Sequence, residues 1–430
     1  VRVLFLLLGP VSFKASSFIR SFIKQLDLQE YSIHIMSERY SFMYLQVYKN
    51  VSVKLMDENF NKDKFESYLE SNNFDLVLLI NIDLLLFDES KCIFKKSYLN
   101  LIKEIPQMYL VTANHILFDK NTISLEGVKN SKIAISPNHY LLKSCPPFIP
   151  DDDDDFNYNK KNFYWKNLEM FAFLNKDESK MKLKKRIKSE EHFKTVTLYI
   201  DIENIFISQS QNLMGHYELL VELVYKYLSN LNTEINLVVT NLPYLKVQET
   251  SPKVKISYMG YISDEENEMI IRASDLIITE SIATTFLIDA ANLKIPTIVL
   301  KNSLTFQKVK DEDKKEYLDL TFKFENLTDF VSDKLSSVIN TNPDSIFKYY
   351  SFPNKAQINP KEELKKIFGY YIFTFSDIFD ENGTTQLIKE LLLNSNSRKE
   401  EIYRIEQYLA LRADAYEAQE IFEMLNPESE

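Results

Sequence analysis

Glycine is scarce in this chain: there are six in 430 residues. Motifs built on glycine are therefore expected in eroded form. Neither half shows Gly-x-Gly-x-x-Gly after its first strand, which argues against a nicotinamide oxidoreductase. Cysteine is nearly absent as well. Cys92 and Cys145 lie far apart in no metal-ligand spacing, so neither a disulfide framework nor a cysteine metal site is expected, and a reducing, cytoplasmic compartment is the simpler setting. Long uncharged apolar runs are missing. The apolar start, Val1 to Leu8, is too short to span a bilayer and has no signal-peptide pattern, so no transmembrane segment is expected. Positive charge is in deficit, with a formal net charge of -11, which argues against wholesale nucleic-acid binding, and no nucleic-acid partner is expected.

Two charge runs interrupt this picture. Lys180 to Lys188 is basic and reads as a solvated linker or helix face, with a patch for an anionic partner as the alternative. Asp151 to Asp155 are five consecutive aspartates without the alternating ligands and glycine of a calcium loop. They read as a solvated loop, and no metal site is expected. Lys, Asn, Ile, Tyr and Phe are abundant, as an AT-rich coding sequence would produce.

The length fits two domains. Hydrophobic residues make up 45% of the chain, enough for sizeable cores. The chain opens on VRVLFLLLGP, a buried strand, followed by a polar loop and an amphipathic helix through FIRSFIKQL. YSIHIMS and VSVKLM are strands, DKFESYLESN a helix, and FDLVLLINI an apolar strand of the kind buried on both faces of a parallel sheet. QMYLVT and SKIAIS add strands. After a Pro- and Asp-rich break the pattern restarts near Lys194 with KTVTLYIDI, the helix HYELLVELVYKYLSNL, then INLVVTN and KISYMGYI. SDEENEMIIRA starts with Ser263 and Glu266 in capping-box spacing. DLIITES, IATTFLIDAANLK and TIVLKN complete the half.

Strands alternating with helices give an α/β class with parallel sheets. The expected division is a first Rossmann-like domain over 1–150, an irregular linker over 151–192, a second Rossmann-like domain over 193–350 and a helical extension over 351–430. Those last helices either pack across the domains or serve a second copy or protein partner.

In a doubly wound sheet, ligands bind at the carboxyl ends of the strands. Two such ends follow one another here. Met259-Gly260-Tyr261-Ile262 is a turn after a strand whose backbone can hydrogen-bond a flat base. Glu280-Ser281-Ile282-Ala283-Thr284-Thr285 lies between a strand and a helix, where free backbone N–H groups and hydroxyls suit a phosphate. Asp289, one turn further in, can accept hydrogen bonds from ribose hydroxyls.

The order of these features resembles the C-terminal domain of glycosyltransferases of the GT-B fold. It is similar to the nucleotide-sugar-using group that includes the bacterial lipid-linked N-acetylglucosaminyltransferase and the plant UDP-sugar transferases. Ala273-Ser274-Asp275 resembles the family's Ala-Asp before an apolar strand, Asp289 its acidic residue, and Pro296 its proline seven residues beyond. Ser281 falls where the plant group has its phosphate-binding His, Ala283 where the family has Gly, and Thr285 where it has Asn. The resemblance implies a GT-B architecture of two doubly wound domains facing a cleft. It also implies a UDP- or dTDP-linked sugar as substrate, no cofactor, and no metal requirement. Ser281, Ala283, Thr284 and Thr285 would face the diphosphate, Asp289 the ribose, and Gly260, Tyr261 and Ile262 the base. The loop with Ser208, Gln211 and Gly215 would also face the donor. The phosphate loop departs from the family in having no glycine, and Leu293-Lys294 replaces the Gly before Pro296.

In such enzymes the first domain binds the acceptor. Gly9 and Ser12 lie in the loop after the first strand, with Lys14 and Ser16 beside them. Candidate bases for an acceptor hydroxyl are Asp83 and His115, both after strands; Asp119 follows the same strand as His115. The acceptor would be a small molecule, a peptide or a glycan. Two other readings share the fold: a nucleotide-sugar 2-epimerase or hydrolase, and a non-catalytic binding partner that has lost the site.

Overall fold

The structure is a computed structural model. It describes residues 1–9, 19, 22–23, 25–38, 51–87, 89, 92–112, 116–118, 122–125, 132–134, 138–144, 162–165, 175–200, 205, 215–245, 247, 249–260, 262, 264–280, 285–301, 305–310, 316–321, 327–341, 374–410 and 418–423. The chain forms two compact units. One comprises Val1–Met170, Lys355–Glu363 and Leu409–Glu430; the other comprises Phe171–Asn354 and Leu364–Tyr408.

The first unit is built on seven parallel strands: β1 (Arg2–Leu7), β2 (Ser32–Glu38), β3 (Val51–Met56), β4 (Leu76–Ile80), β5 (Gln107–Thr112), β9 (His139–Ser144) and β10 (Asn162–Trp165). Their order across the sheet is β10-β9-β5-β4-β1-β2-β3. Phe5 of β1 lies between Ile35 of β2 and Leu78 of β4. β1 and β4 are apolar at nearly every position because helices cover both faces of a parallel sheet; Val3 to Leu8 and Val77 to Leu79 have no exposed surface. The helix α1 (Lys62–Asn72) begins where the Asn61 side chain accepts a hydrogen bond from the Lys64 N–H, and ends at Asn73 in the left-handed region. The helix α2 (Ile82–Phe87) follows β4 directly. SKIAIS is not part of this sheet: Lys132–Ala134 (β8) pairs with Thr122–Leu125 (β7), which pairs with Ile116–Phe118 (β6), in an antiparallel meander.

The unit is completed by the helix Ala418–Glu423. Phe422 packs against Phe22, Tyr31 and Tyr109 with ring centroids 5.2, 5.6 and 6.0 Å away. The Ala418 N–H donates to the Gln25 side chain at 2.8 Å.

In the second unit, six parallel strands run in the order β13-β12-β11-β14-β15-β18. They are β11 (Lys194–Tyr199), β12 (Ile235–Val239), β13 (Val254–Tyr258), β14 (Leu276–Thr279), β15 (Thr297–Lys301) and β18 (Thr374–Asp377). A two-stranded antiparallel ribbon, β16 (Thr305–Lys310) and β17 (Glu316–Thr321), stands apart from the sheet. The helices are α3 (Lys176–Ile187), α4 (Gly215–Ser229), α5 (Asp264–Ala273), α6 (Thr285–Asn292), α7 (Asp329–Thr341), α8 (Glu381–Leu393) and α9 (Ser395–Ala410). α4 is apolar nearly all round and lies in the main core, with Tyr217, Leu220, Val224 and Tyr227 buried.

Two expectations are corrected. Residues 151–192 are not wholly irregular, since β10 and the regular helix α3 lie within them. α3 buries only a narrow face, Ser179 and Leu183, so its apolar periodicity is too thin to read in a lysine-rich sequence. The region beyond 351 is not purely helical either. Thr374–Asp377 pairs with β15 as the last strand of the sheet, and four residues are too few to establish a period of two. Residues 351–373 of the expected extension lie outside the described residues. Among the described residues, Cys92 is buried and in no disulfide, and no helix is long and apolar enough to cross a membrane.

Candidate functional site

Both sheets share one strand order, 3-2-1-4-5 in each unit's own count, so each has one topological switch point beside its first strand. That crevice, at the carboxyl ends, is where such folds bind ligands. In the second unit the switch lies between β11 and β14. Thr279 ends β14 and Glu280 follows it, and both are buried. The Tyr199 ring, at the end of β11, stacks on Phe286 of α6 with centroids 3.6 Å apart and planes at 12°. Asp289, one turn into α6, is 3% exposed.

Gly260 has φ +61, and a Cβ there would meet no atom within 4 Å. Its glycine therefore serves the left-handed backbone and not close packing. The turn is held by Asn241, a residue outside the expected site. The Asn241 N–H donates to the Gly260 carbonyl at 2.6 Å and its Nδ2 to the Ile200 carbonyl at 2.7 Å. Its Oδ1 accepts from the Ile262 N–H at 3.5 Å. The signal available in the sequence was an Asn directly after an apolar strand, INLVVTN, a residue type suited to the left-handed region it adopts at φ +63.

Asp275, matched to a family motif, stands at the opposite end of the strands. It precedes β14, and its carboxylate accepts from Lys180 Nζ at 2.7 Å and the Thr195 N–H at 3.0 Å. Burial pushes its pKa up, but the Lys180 and Thr195 hydrogen bonds and the charges of Lys180 and Lys194 outweigh it, and the net shift is down. Arg398 donates to the Asp275 carbonyl at 2.8 Å. Asp275 is thus a structural corner joining α3, β11 and α9. The basic run 180–188 belongs to α3 and the residues just after it; within it Lys180 binds Asp275, and Arg186 pairs with Glu266.

In the first unit the switch lies between β1 and β4. Gly9, at φ +97, follows β1, and Asn81, at φ +63, follows β4. The Asn81 side chain donates to the Leu8 carbonyl at 3.4 Å. Asp83 falls in the first turn of α2. Here the structure adds Glu38, at the end of β2 and 3% exposed. Its Oε1 accepts from the Gly9 N–H at 3.2 Å and the Ile93 N–H at 2.9 Å. Burial raises its pKa; those two bonds and the charge of Lys95 oppose the shift without cancelling it. A groove of about 540 Å³ opens between β3 and α1, lined by Lys54, Asp57, Phe60 and Tyr68 among others.

Of the residues expected at the site, Gly260, Ile262 and Asp289 lie on elements at the carboxyl edge of the second sheet, and Gly9 on that of the first. Thr285 and Gly215 open α6 and α4. Ser12, His115, Ser208, Gln211, Tyr261, Ser281, Ala283 and Thr284 lie outside the described residues, as do Lys14, Ser16 and Asp119.

Two all-parallel, doubly wound sheets with this order define a GT-B glycosyltransferase fold. Solved structures of that fold match nearly the whole chain. UGT89C1 of Arabidopsis thaliana in complex with UDP-L-rhamnose superposes with a TM-score of 0.55 at 7% identity, covering 98% of each chain. The glycotransferase of kitacinnamycin gives 0.52 at 10% identity over 99% of each chain. The calicheamicin glycosyltransferase CalG4 gives 0.50 at 8% identity, over 99% of this chain and 98% of its own. At the level of sequence, residues 22–425 match DUF6365, a family of unknown function, and the chain belongs to that family. No curated protein sequence matches it.

Proposed function

We propose that the chain is a glycosyltransferase that moves a sugar from a nucleoside diphosphate to an acceptor hydroxyl without needing a metal ion. The observation that carries this reading is the carboxyl edge of the second sheet. There a braced glycine turn and the start of α6 stand on either side of a switch point, in a fold shared with a UDP-L-rhamnose complex. In this reading Ser281 to Thr285 bind the diphosphate at the start of α6, where unsatisfied N–H groups favour negative charge. Asp289 accepts from the ribose, and the turn Gly260 to Ile262 meets the base. The acceptor loses its proton to a base in the first unit, with His115 and Asp83 as candidates, while Ser12, in the loop after the first strand, would meet the donor's leaving group. The acceptor oxygen bonds to the anomeric carbon as the bond to phosphate breaks, and the diphosphate leaves with the electron pair. Fixed N–H donors at α6 lower the cost of that departing charge. The donor is UDP- or dTDP-linked, and the setting is cytoplasmic.

The test is thermal stability of the full chain against UDP, dTDP, GDP and CDP. Binding at a hundred times Kd stabilises a protein by about 2.7 kcal/mol. One diphosphate is expected to raise the melting temperature, and Asp289→Ala and Thr285→Val to remove the shift. No shift with any of them at millimolar concentration would sink the reading.

A further inference from the structure

The segment after β12 has two features that the donor reading leaves unused. The first is Asn241. It is 3% exposed and adopts the left-handed region, where side chains meet steric strain, asparagine less than most. Its three hydrogen bonds offset that strain and tie the end of β11, the end of β12 and the turn after β13 into one piece. The second is Tyr244, three residues on. It is 76% exposed, the most exposed large hydrophobic side chain among the described residues. Its ring stands edge-on to Tyr258, centroids 5.4 Å apart at 69°. Tyr258 closes β13, two residues before Gly260. Its phenol is kept neutral by burial and by the nearby Tyr244, Glu249 and Glu218. A lone exposed aromatic is ordinary on a protein surface. This one is buttressed by a second ring at the ligand-binding edge of a doubly wound sheet, beside a turn that a buried residue holds still.

A nucleobase presents a flat π-face and a polar edge. Its recognition needs an aromatic surface for the first and fixed backbone groups for the second. We propose that the segment after β12 reads the base of a nucleoside diphosphate, with Tyr244 as the stacking surface and Asn241 as the positioning residue for the turn at Gly260. The inference rests on the nucleotide-donor reading and adds to it a second wall of the base site.

Calorimetric titration of the full chain with UDP, dTDP, CDP and GDP tests it, on the unchanged protein and on Tyr244→Ala, Tyr244→Phe, Asn241→Gly and Asn241→Asp. Tyr244 is exposed, so its replacement leaves the core intact. Tyr244→Ala is expected to weaken the preferred nucleotide about tenfold or more, while Tyr244→Phe stays within about threefold, because stacking needs the ring and not the hydroxyl. Asn241→Gly keeps the left-handed backbone and loses the side-chain brace, so the preference among bases is expected to flatten. Asn241→Asp, which cannot donate to Ile200, should behave likewise. A purely structural Asn241 would lower the melting temperature and leave the preference ratio unchanged, which overturns its assigned role. Tyr244→Ala binding like the unchanged protein overturns the stacking role. If the unchanged protein binds no nucleoside diphosphate, the donor reading and this inference fall together. If it binds selectively and the variants match it, only this inference falls.

Discussion

Glu38 and Asp275 are both buried carboxylates, yet their surroundings push their protonation in opposite directions. Glu38 has two backbone donors on one oxygen and no ion pair among the described residues, so desolvation prevails and its pKa rises above the ordinary 4.5. A raised carboxylate pKa means that the folded state holds the proton more tightly. The stability it contributes is complete below the unfolded pKa and is lost as pH rises through the folded value. Glu38→Gln keeps an acceptor for both N–H groups and never ionises. It should therefore gain stability relative to the unchanged protein as pH rises from about 4 to 7, read by urea denaturation at each pH. Asp275 has the ammonium of Lys180 at 2.7 Å and a depressed pKa. Its contribution is complete above the ordinary carboxylate pKa and is lost as pH falls through the depressed value. Removing the carboxylate in Asp275→Ala should cost about 3 kcal/mol, and acid sensitivity below about pH 4 should shrink in the same variant. The sequence made Asp275 visible through its motif. Its place before the strand put it at the amino end, away from the ligand edge, but its partners Lys180 and Arg398 lie far off in the chain and no local pattern marks them.

Individual elements were legible in proportion to the apolar surface they bury. β1, β4 and β14 read directly as strands, since burial on both faces leaves a nearly unbroken apolar run. α3 did not, because lysines cover all but a thin stripe of it. α8 begins at Asp380, whose side chain accepts from the Gly383 N–H at 2.8 Å. Asp380→Ala should cost about 1 kcal/mol, measured as a shift in the urea midpoint with an unchanged slope. β18, which precedes α8, was hidden by its shortness. Its place was decided by pairing with β15, a contact between residues far apart in the chain.

At the scale of the whole molecule, the chain closes its first unit with its last described helix. Phe422 fills a pocket among Phe22, Tyr31 and Tyr109. Phe422→Ala should cost about 3–5 kcal/mol. Hydrogen exchange should speed up in β1 and β2 well before it does in β11 and β12, because the loss falls on the first unit. Local sequence was enough to set the α/β class and the two-fold repetition of parallel sheets. It also determined the approximate place of the glycine turn and of the helix carrying Asp289. Those features rest on local apolar period and turn chemistry, which neighbouring residues carry. The tertiary structure alone decided that Asn241 braces the Gly260 turn and that Glu38 meets Gly9. It also decided that Asp275 is a corner and that residues 418–423 belong with residues 1–170. Each of these is a meeting of groups distant in the chain, fixed by strand order and direction, and no local pattern encodes them.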